Sequence, residues 1–232
     1  MQRLQLGSLF LFHLLTFNKQ LNGSNPLFLR QIFYMRTIRT ITAFTFFLSA
    51  ALFSNAQTVD IRKGDLAILK GDTSINIEFT YEKMVVGDDG KEADYIKRKR
   101  NEMNEKERGS GEIWAAKWEL DKKEKFEPRF ILGFTKEYKI SVSPTAKYTL
   151  IFNTKALEPG YQVGISKRNA GIDGTVTIVE TAHREKKLIV LQVERPDENK
   201  WRGAAFDAGS RIADAYFLTG QKVGKFILKN NK

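Results

Sequence analysis

No aspartate or glutamate occurs before Asp60. An acid-free stretch of that length, rich in Leu and Phe, reads as a leader and not as part of a folded domain, so the chain that folds begins close to residue 57. Within the stretch, Met35-Arg36-Thr37-Ile38-Arg39 is a short cationic segment. The apolar run Ile41 to Phe53 follows it, and Ser54-Asn55-Ala56-Gln57 supplies a small-x-small cleavage site. Together they form a secretory signal over 35–56, with cleavage between Ala56 and Gln57 and export to the periplasm or beyond. Residues 1–34 are then an upstream extension ahead of the true start at Met35; the alternative is a real anchor or an unusual leader. The run Leu9 to Leu15 is too short to span a bilayer, which takes about 20 residues.

Export and composition restrict the chemistry. There is no cysteine in the chain, which removes disulfides, thiolate metal sites, cysteine nucleophiles and a lipidated cysteine at the cleavage point. Leaving out the leader cations Arg3, Lys19, Arg30, Arg36 and Arg39 lowers the formal charge from +11 to +6. That balance does not call for a nucleic-acid partner, and it suits solubility or contact with anionic envelope surfaces. Residues 57–232 suffice for one domain with a core of its own.

The pattern along 57–232 alternates between strands and helices. Two strand-like segments open it, Val59-Asp60-Ile61 leading into Leu66 to Leu69, and Ile75 to Tyr81, joined as a hairpin by Gly71-Asp72-Thr73. Met84-Val85-Val86 extends the second strand. The middle is helical: 93–108, a second helix from about Ser110, and a third from Pro128 to about Lys139, with a boundary at 126–128 because proline belongs in a first helical turn. Tyr148 to Phe152, Thr175 to Thr181 and Leu188 to Val193 are strands, the last two a hairpin through His183 to Lys186. The final helix runs from about Ala208 to Leu228 with Asp207 as N-cap. The order β-β-α-α-β-β-β-α predicts a single α+β domain, a mixed or mainly antiparallel sheet with helices on one face and no transmembrane span.

Few residues point to chemistry. His183 is the only histidine after the leader and reads as a surface turn residue, the alternative being a catalytic role or a metal site completed by carboxylates; neither catalytic residues, metal ligands nor a cofactor are assigned. Trp114 and Trp118 lie four apart on one helix face, where they either pack the helix or stack on a sugar or a partner side chain. The run Lys97 to Arg100 is followed by Glu102, Glu105 and Glu107 and reads as a self-neutralised exposed helix. Gly220 and Gly224 on the last helix suggest close approach to the sheet. The segment 166–174 reads as a long polar loop. With Tyr161, Arg129, Lys167 and Arg168, the two tryptophans complete the set of candidate ligand- or partner-binding residues.

Phe126-Glu-Pro-Arg-Phe130, Tyr148-Thr-Leu-Ile-Phe152, Glu158-Pro-Gly-Tyr161, Glu180-Thr-Ala182 and the run Phe206 to Tyr216 resemble uncharacterised small secreted proteins of Bacteroidetes-type bacteria. The resemblance spans most of 57–232. It implies export and a helix-flanked sheet loosely similar to the TolB amino-terminal domain and to lipoprotein activators of cell-wall synthases. It implies no activity and no catalytic residues. Those lipoproteins carry an anchoring cysteine, which this chain lacks. The expectation is a non-enzymatic binding or interaction module of the envelope, whose partner is an envelope protein or a glycan. The alternative is a hydrolase acting on envelope polysaccharide through paired carboxylates, which would show as a pocket with two or more carboxylates facing each other about 5–10 Å apart; the sequence-adjacent pairs Asp88/Asp89 and Asp197/Glu198 sit in polar turns and read as solvated.

Overall fold

The computed structural model describes residues 58–163, 165–195 and 207–232. The readings of the leader, the signal segment, Asp197, Glu198 and Phe206 fall outside them. The described elements are β1 (Thr58–Lys63), β2 (Ser74–Thr80), β3 (Val85–Val86), α1 (Glu92–Lys106), α2 (Ser110–Asp121), α3 (Glu127–Tyr138), β4 (Ser141–Val142), β5 (Tyr148–Glu158), β6 (Tyr161–Val163), β7 (Ser166–Arg168), β8 (Gly171–Glu180), β9 (Ile189–Glu194) and α4 (Ala208–Asn230).

The main sheet has the order β1-β9-β8-β5-β2-β4, with β3 pairing to β5 as well. From β1 to β5 its neighbours are antiparallel, while β2, β3 and β4 join it in parallel. This is the mixed sheet of an α+β domain. The hairpin of Thr175–Thr181 with Leu188–Val193 is present as β8 and β9, with Val176 opposite Leu191.

The expected first hairpin is not. Leu66–Leu69 forms a 3-10 turn, capped where Asp65 Oδ1 accepts from the Ala67 N–H at 2.9 Å. Leu66 and Leu69, three apart, both point into the core, a period that a strand cannot deliver. A four-residue apolar run fits either conformation, and here the cap decides. β2 consequently pairs with β5, Phe79 opposite Phe152, and β1 pairs with β9 at the sheet edge.

One face of the sheet carries the core. Phe130 of α3 stacks on Phe152 with ring centres 4.7 Å apart and meets Phe79 edge-on at 5.4 Å. Tyr216 of α4 lies parallel to Phe126 at 5.4 Å, and its hydroxyl shares a 2.7 Å hydrogen bond with Thr154. The opposite face carries a polar row: Thr80, Asn153, Thr175, Gln192 and Asp60 line up across five strands. Above it, Arg184 donates to Glu78, whose Oε1 also takes a hydrogen bond from Asn76 at 2.9 Å.

Gly220 and Gly224 do permit a close approach, but to α3 and not to the sheet. A β-carbon at Gly224 would sit 2.6 Å from the Phe134 carbonyl oxygen. Gly133 on α3 plays the same part toward the Phe217 carbonyl. The two helices thus pack backbone to backbone over the sheet, which brings both layers of aromatic rings inside.

Between α2 and α3 the chain does not break. Residues Lys122–Phe126 form a π-helical segment that continues directly into α3, with Pro128 in its first turn. The extra residue per turn rotates Lys122 inward, where it is only 7% exposed. Its ammonium lies 2.6 Å from Glu92 and 2.9 Å from Glu119, and 5.0 Å from the centre of the Tyr81 ring.

Candidate functional site

The sequence candidates fall in three places. Trp114 and Trp118 belong to the hairpin of α1 and α2. Trp118 is buried at 5% exposure; its ring stacks on Trp114 at 5.7 Å, tilts onto Tyr95 at 5.1 Å and meets Phe126 edge-on at 6.1 Å. Its indole N–H donates to Glu92 at 2.7 Å. With its ring covered and its polar edge engaged, Trp118 joins the hairpin to the core and has no face left for a ligand. Trp114 is the half-buried outer member of the stack. Within the basic run Lys97 to Arg100, the middle two residues are tied to acids: Arg98 bonds Asp89 at 2.6 Å and pairs with Glu102, and Lys99 reaches Glu102 at 2.9 Å.

Arg129 lines a shallow cleft of about 340 Å³ between the amino-terminal ends of α3 and α4, with Glu124, Lys125, Ser210 and Asp214. Its Nη2 donates to Asp214 at 2.6 Å, and its guanidinium covers the Phe217 ring at 4.7 Å. The carboxylate of Asp214 is thereby committed to an ion pair. Among the described residues no group of three or more His, Asp or Glu side chains gathers as a metal site.

Tyr161, Lys167 and Arg168 come together in a projecting ribbon. Strands β5 and β8 stay paired as far as Glu158 opposite Gly171. There Pro159-Gly160 on one side and Asn169-Ala170 on the other bend the chain, and β6 and β7 continue as a separate two-stranded ribbon. The segment 166–174 is therefore strand on both sides of a bend and not the polar loop expected. Tyr161 pairs with Arg168, Gln162 with Lys167 and Val163 with Ser166.

The base of the ribbon is fixed. Arg211 of α4, itself 8% exposed, donates from Nε to the Pro159 carbonyl at 3.3 Å and from Nη2 to the Gly160 carbonyl at 3.0 Å. Gly160 has φ of +65°, and a β-carbon there would lie 2.5 Å from the Arg168 carbonyl oxygen, so only glycine fits the bend. Glu158 accepts from the Gly160 N–H at 3.0 Å and from Arg168 at 3.2 Å. The Arg168 guanidinium also lies 5.9 Å above the Tyr161 ring and 3.6 Å from Asp88.

The end of the ribbon is apolar and bare. Tyr161 is 43% exposed, Val163 72% and Ile165 completely so. Sequence reasoning singled out the cations of this segment and missed Val163 and Ile165. The signal was there, an alternation Tyr161, Val163, Ile165 after Gly160, but nothing in an alternation says which face is left uncovered. Arg211 was equally illegible, since a buried arginine that bonds backbone carbonyls is recognised only when those carbonyls are seen.

No protein-family model matches the chain, and no curated protein matches it. Among solved structures, a PelC dodecamer from Paraburkholderia phytofirmans in space group P6 is 13% identical, covering 71% of this chain and 97% of that one, with a TM-score of 0.31. A substituted form of the same dodecamer in space group C2 is 14% identical over the same shares, with a TM-score of 0.29. Scores this low leave both likenesses without weight for fold or function.

Proposed function

We propose that this chain is an exported envelope protein that works as a non-enzymatic interaction module, with the β6–β7 ribbon as its contact surface. The observation that carries the reading is the pairing of a bare apolar end, Val163 and Ile165, with a base held by Arg211. Single exposed aliphatic residues are ordinary on protein surfaces. Three apolar residues alternating on one pinned, projecting ribbon are what a contact surface requires, because the ordering of the ribbon is already complete before a partner arrives.

The hydrolase reading has less support. It needs two carboxylates free to face a substrate, and in the cleft between α3 and α4 Asp214 is engaged by Arg129 at 2.6 Å. The resemblance to small secreted proteins, with no catalytic residues to transfer, accords with the interaction reading.

The test compares the full chain with a variant carrying Val163→Ser and Ile165→Ser as baits in envelope extract. The expected result is an envelope component retained by the wild-type bait and lost with the variant, while circular dichroism of the two coincides. Turnover of a glycan library by the purified chain, unchanged in the variant, would overturn the reading.

A further inference from the structure

The ribbon's chemistry is ordered along its length. Farthest out is Ile165, next to it Val163 opposite Ser166, then Gln162 opposite Lys167, and last Tyr161 opposite Arg168. Apolar residues lead, and an aromatic hydroxyl shares the innermost rung with a cation. A strand rises about 3.3 Å per residue, so the step from Ile165 back to Arg168 is about 10 Å. Amphipathic elements that lie in a membrane interface bury their apolar side about 5–10 Å deep, with Tyr at the headgroup level and Lys or Arg at the phosphates.

Extent points the same way. The bare aliphatic end consists of Val163 and Ile165, and the other exposed large aliphatic side chains among the described residues, such as Ile61, Ile113, Leu132 and Leu228, lie on other elements. A protein interface of ordinary size needs a broad complementary surface, whereas lipid deforms around a point. Without the leader cations the formal charge is still +6, which biases the chain toward anionic surfaces, against which Asp88 and Glu158 at the ribbon base count as local opposition.

Resting on the reading of the ribbon as a contact surface, we infer that its partner is an anionic phospholipid surface, into which Val163 and Ile165 insert while Arg168 stays at the phosphate level. Insertion here means a peripheral contact: among the described residues no helix is long and apolar enough to cross a membrane.

The absence of cysteine provides a clean probe. The full chain with Ile165→Cys, labelled with an environment-sensitive dye, is mixed with phosphatidylcholine vesicles with and without phosphatidylglycerol. A second full chain carries the same dye at Ile113→Cys, on α2, where residue 113 is 73% exposed. The expected result is a blue shift at 165 with the anionic vesicles, reduced by salt, abolished by adding Val163→Asp, and missing at 113. No shift at 165, an equal shift at 113, or an equal shift with phosphatidylcholine alone overturns the inference. If the shift fails while the Val163/Ile165 double variant still loses an envelope component, the interaction reading stands and the lipid assignment falls; if both fail, both fall.

Discussion

A β-carbon placed on Gly220 would run into the carbonyl oxygen of Phe130. The contact is between two helix backbones, so no side chain can swing aside to relieve it. In an isolated helix, alanine is favoured over glycine by about 1 kcal/mol. Here Gly220→Ala is expected to reverse that sign and destabilise the domain by about 1–3 kcal/mol, the usual range for forcing extra volume into a packed interior. Urea unfolding of the two proteins measures it; an equal or raised midpoint for the variant would show that α3 and α4 are free to separate.

Burial holds the Tyr81 and Tyr216 phenols far above their ordinary value of 10, and pushes Tyr95 up to about 12. The folded state thus keeps protons that the unfolded chain releases near pH 10. The stabilisation is complete below pH 10 and declines as pH rises beyond it. Melting temperatures recorded from pH 8 to 11.5 should fall more steeply above 10 in the wild type than in Tyr216→Phe. At neutral pH the same variant should lose about 1–2 kcal/mol, because the hydroxyl of Thr154, wholly buried, loses its partner.

Oε1 of Glu92 accepts from the Trp118 indole N–H at 2.7 Å and forms an ion pair with the Lys122 ammonium at 2.6 Å. Lys122→Met leaves that carboxylate largely buried with its cation gone, for an expected loss of about 2–4 kcal/mol. Adding Glu92→Gln should return most of the loss, since a neutral amide oxygen still accepts from the indole. Thermal denaturation of the single and double variants provides the cycle, and a double variant no better than the single one would refute the assignment.

Asn153 is the exception to a well-satisfied interior. Its Oδ1 is buried and has no hydrogen-bond partner among the described residues. An unmet buried acceptor costs about 1–3 kcal/mol, so removing it should be harmless or better. Asn153→Thr, which continues the row between Thr80 and Thr175, is expected to match or exceed wild-type stability in chemical denaturation. A marked loss would mean that the amide serves a contact on the polar face of the sheet.

What the sequence revealed follows the strength of the local signal. The helices at 92–106 and 208–230, the proline-led helix at 127–138 and the β8–β9 hairpin were readable because periodicity, caps and proline placement act over a few residues. Pairing was not readable where partners are remote: nothing near Ile77 announces Leu150, and nothing in Gly220 says whether sheet or helix lies beneath it. The π-helical turn at Lys122 also lacked a signature, because the lysine's inward rotation is repaid by Glu92, thirty positions upstream. At the candidate site, Tyr161, Lys167 and Arg168 were found by residue type, whereas Val163, Ile165 and Arg211 acquire meaning only from exposure and hydrogen bonding.

The side-by-side pairing of β2 with β5 brings together residues as far apart as Asn76 and Thr149, 73 positions along the chain. The helical stretch between them must close as one long loop before the centre of the sheet can zip, and such closure slows folding in proportion to the non-local share of contacts. A chain emerging amino-end first therefore holds β2 as an unpaired strand until β5 arrives. Stopped-flow refolding should register that wait as a slow, single phase, and the interval is when this protein is most open to capture by a chaperone or to aggregation.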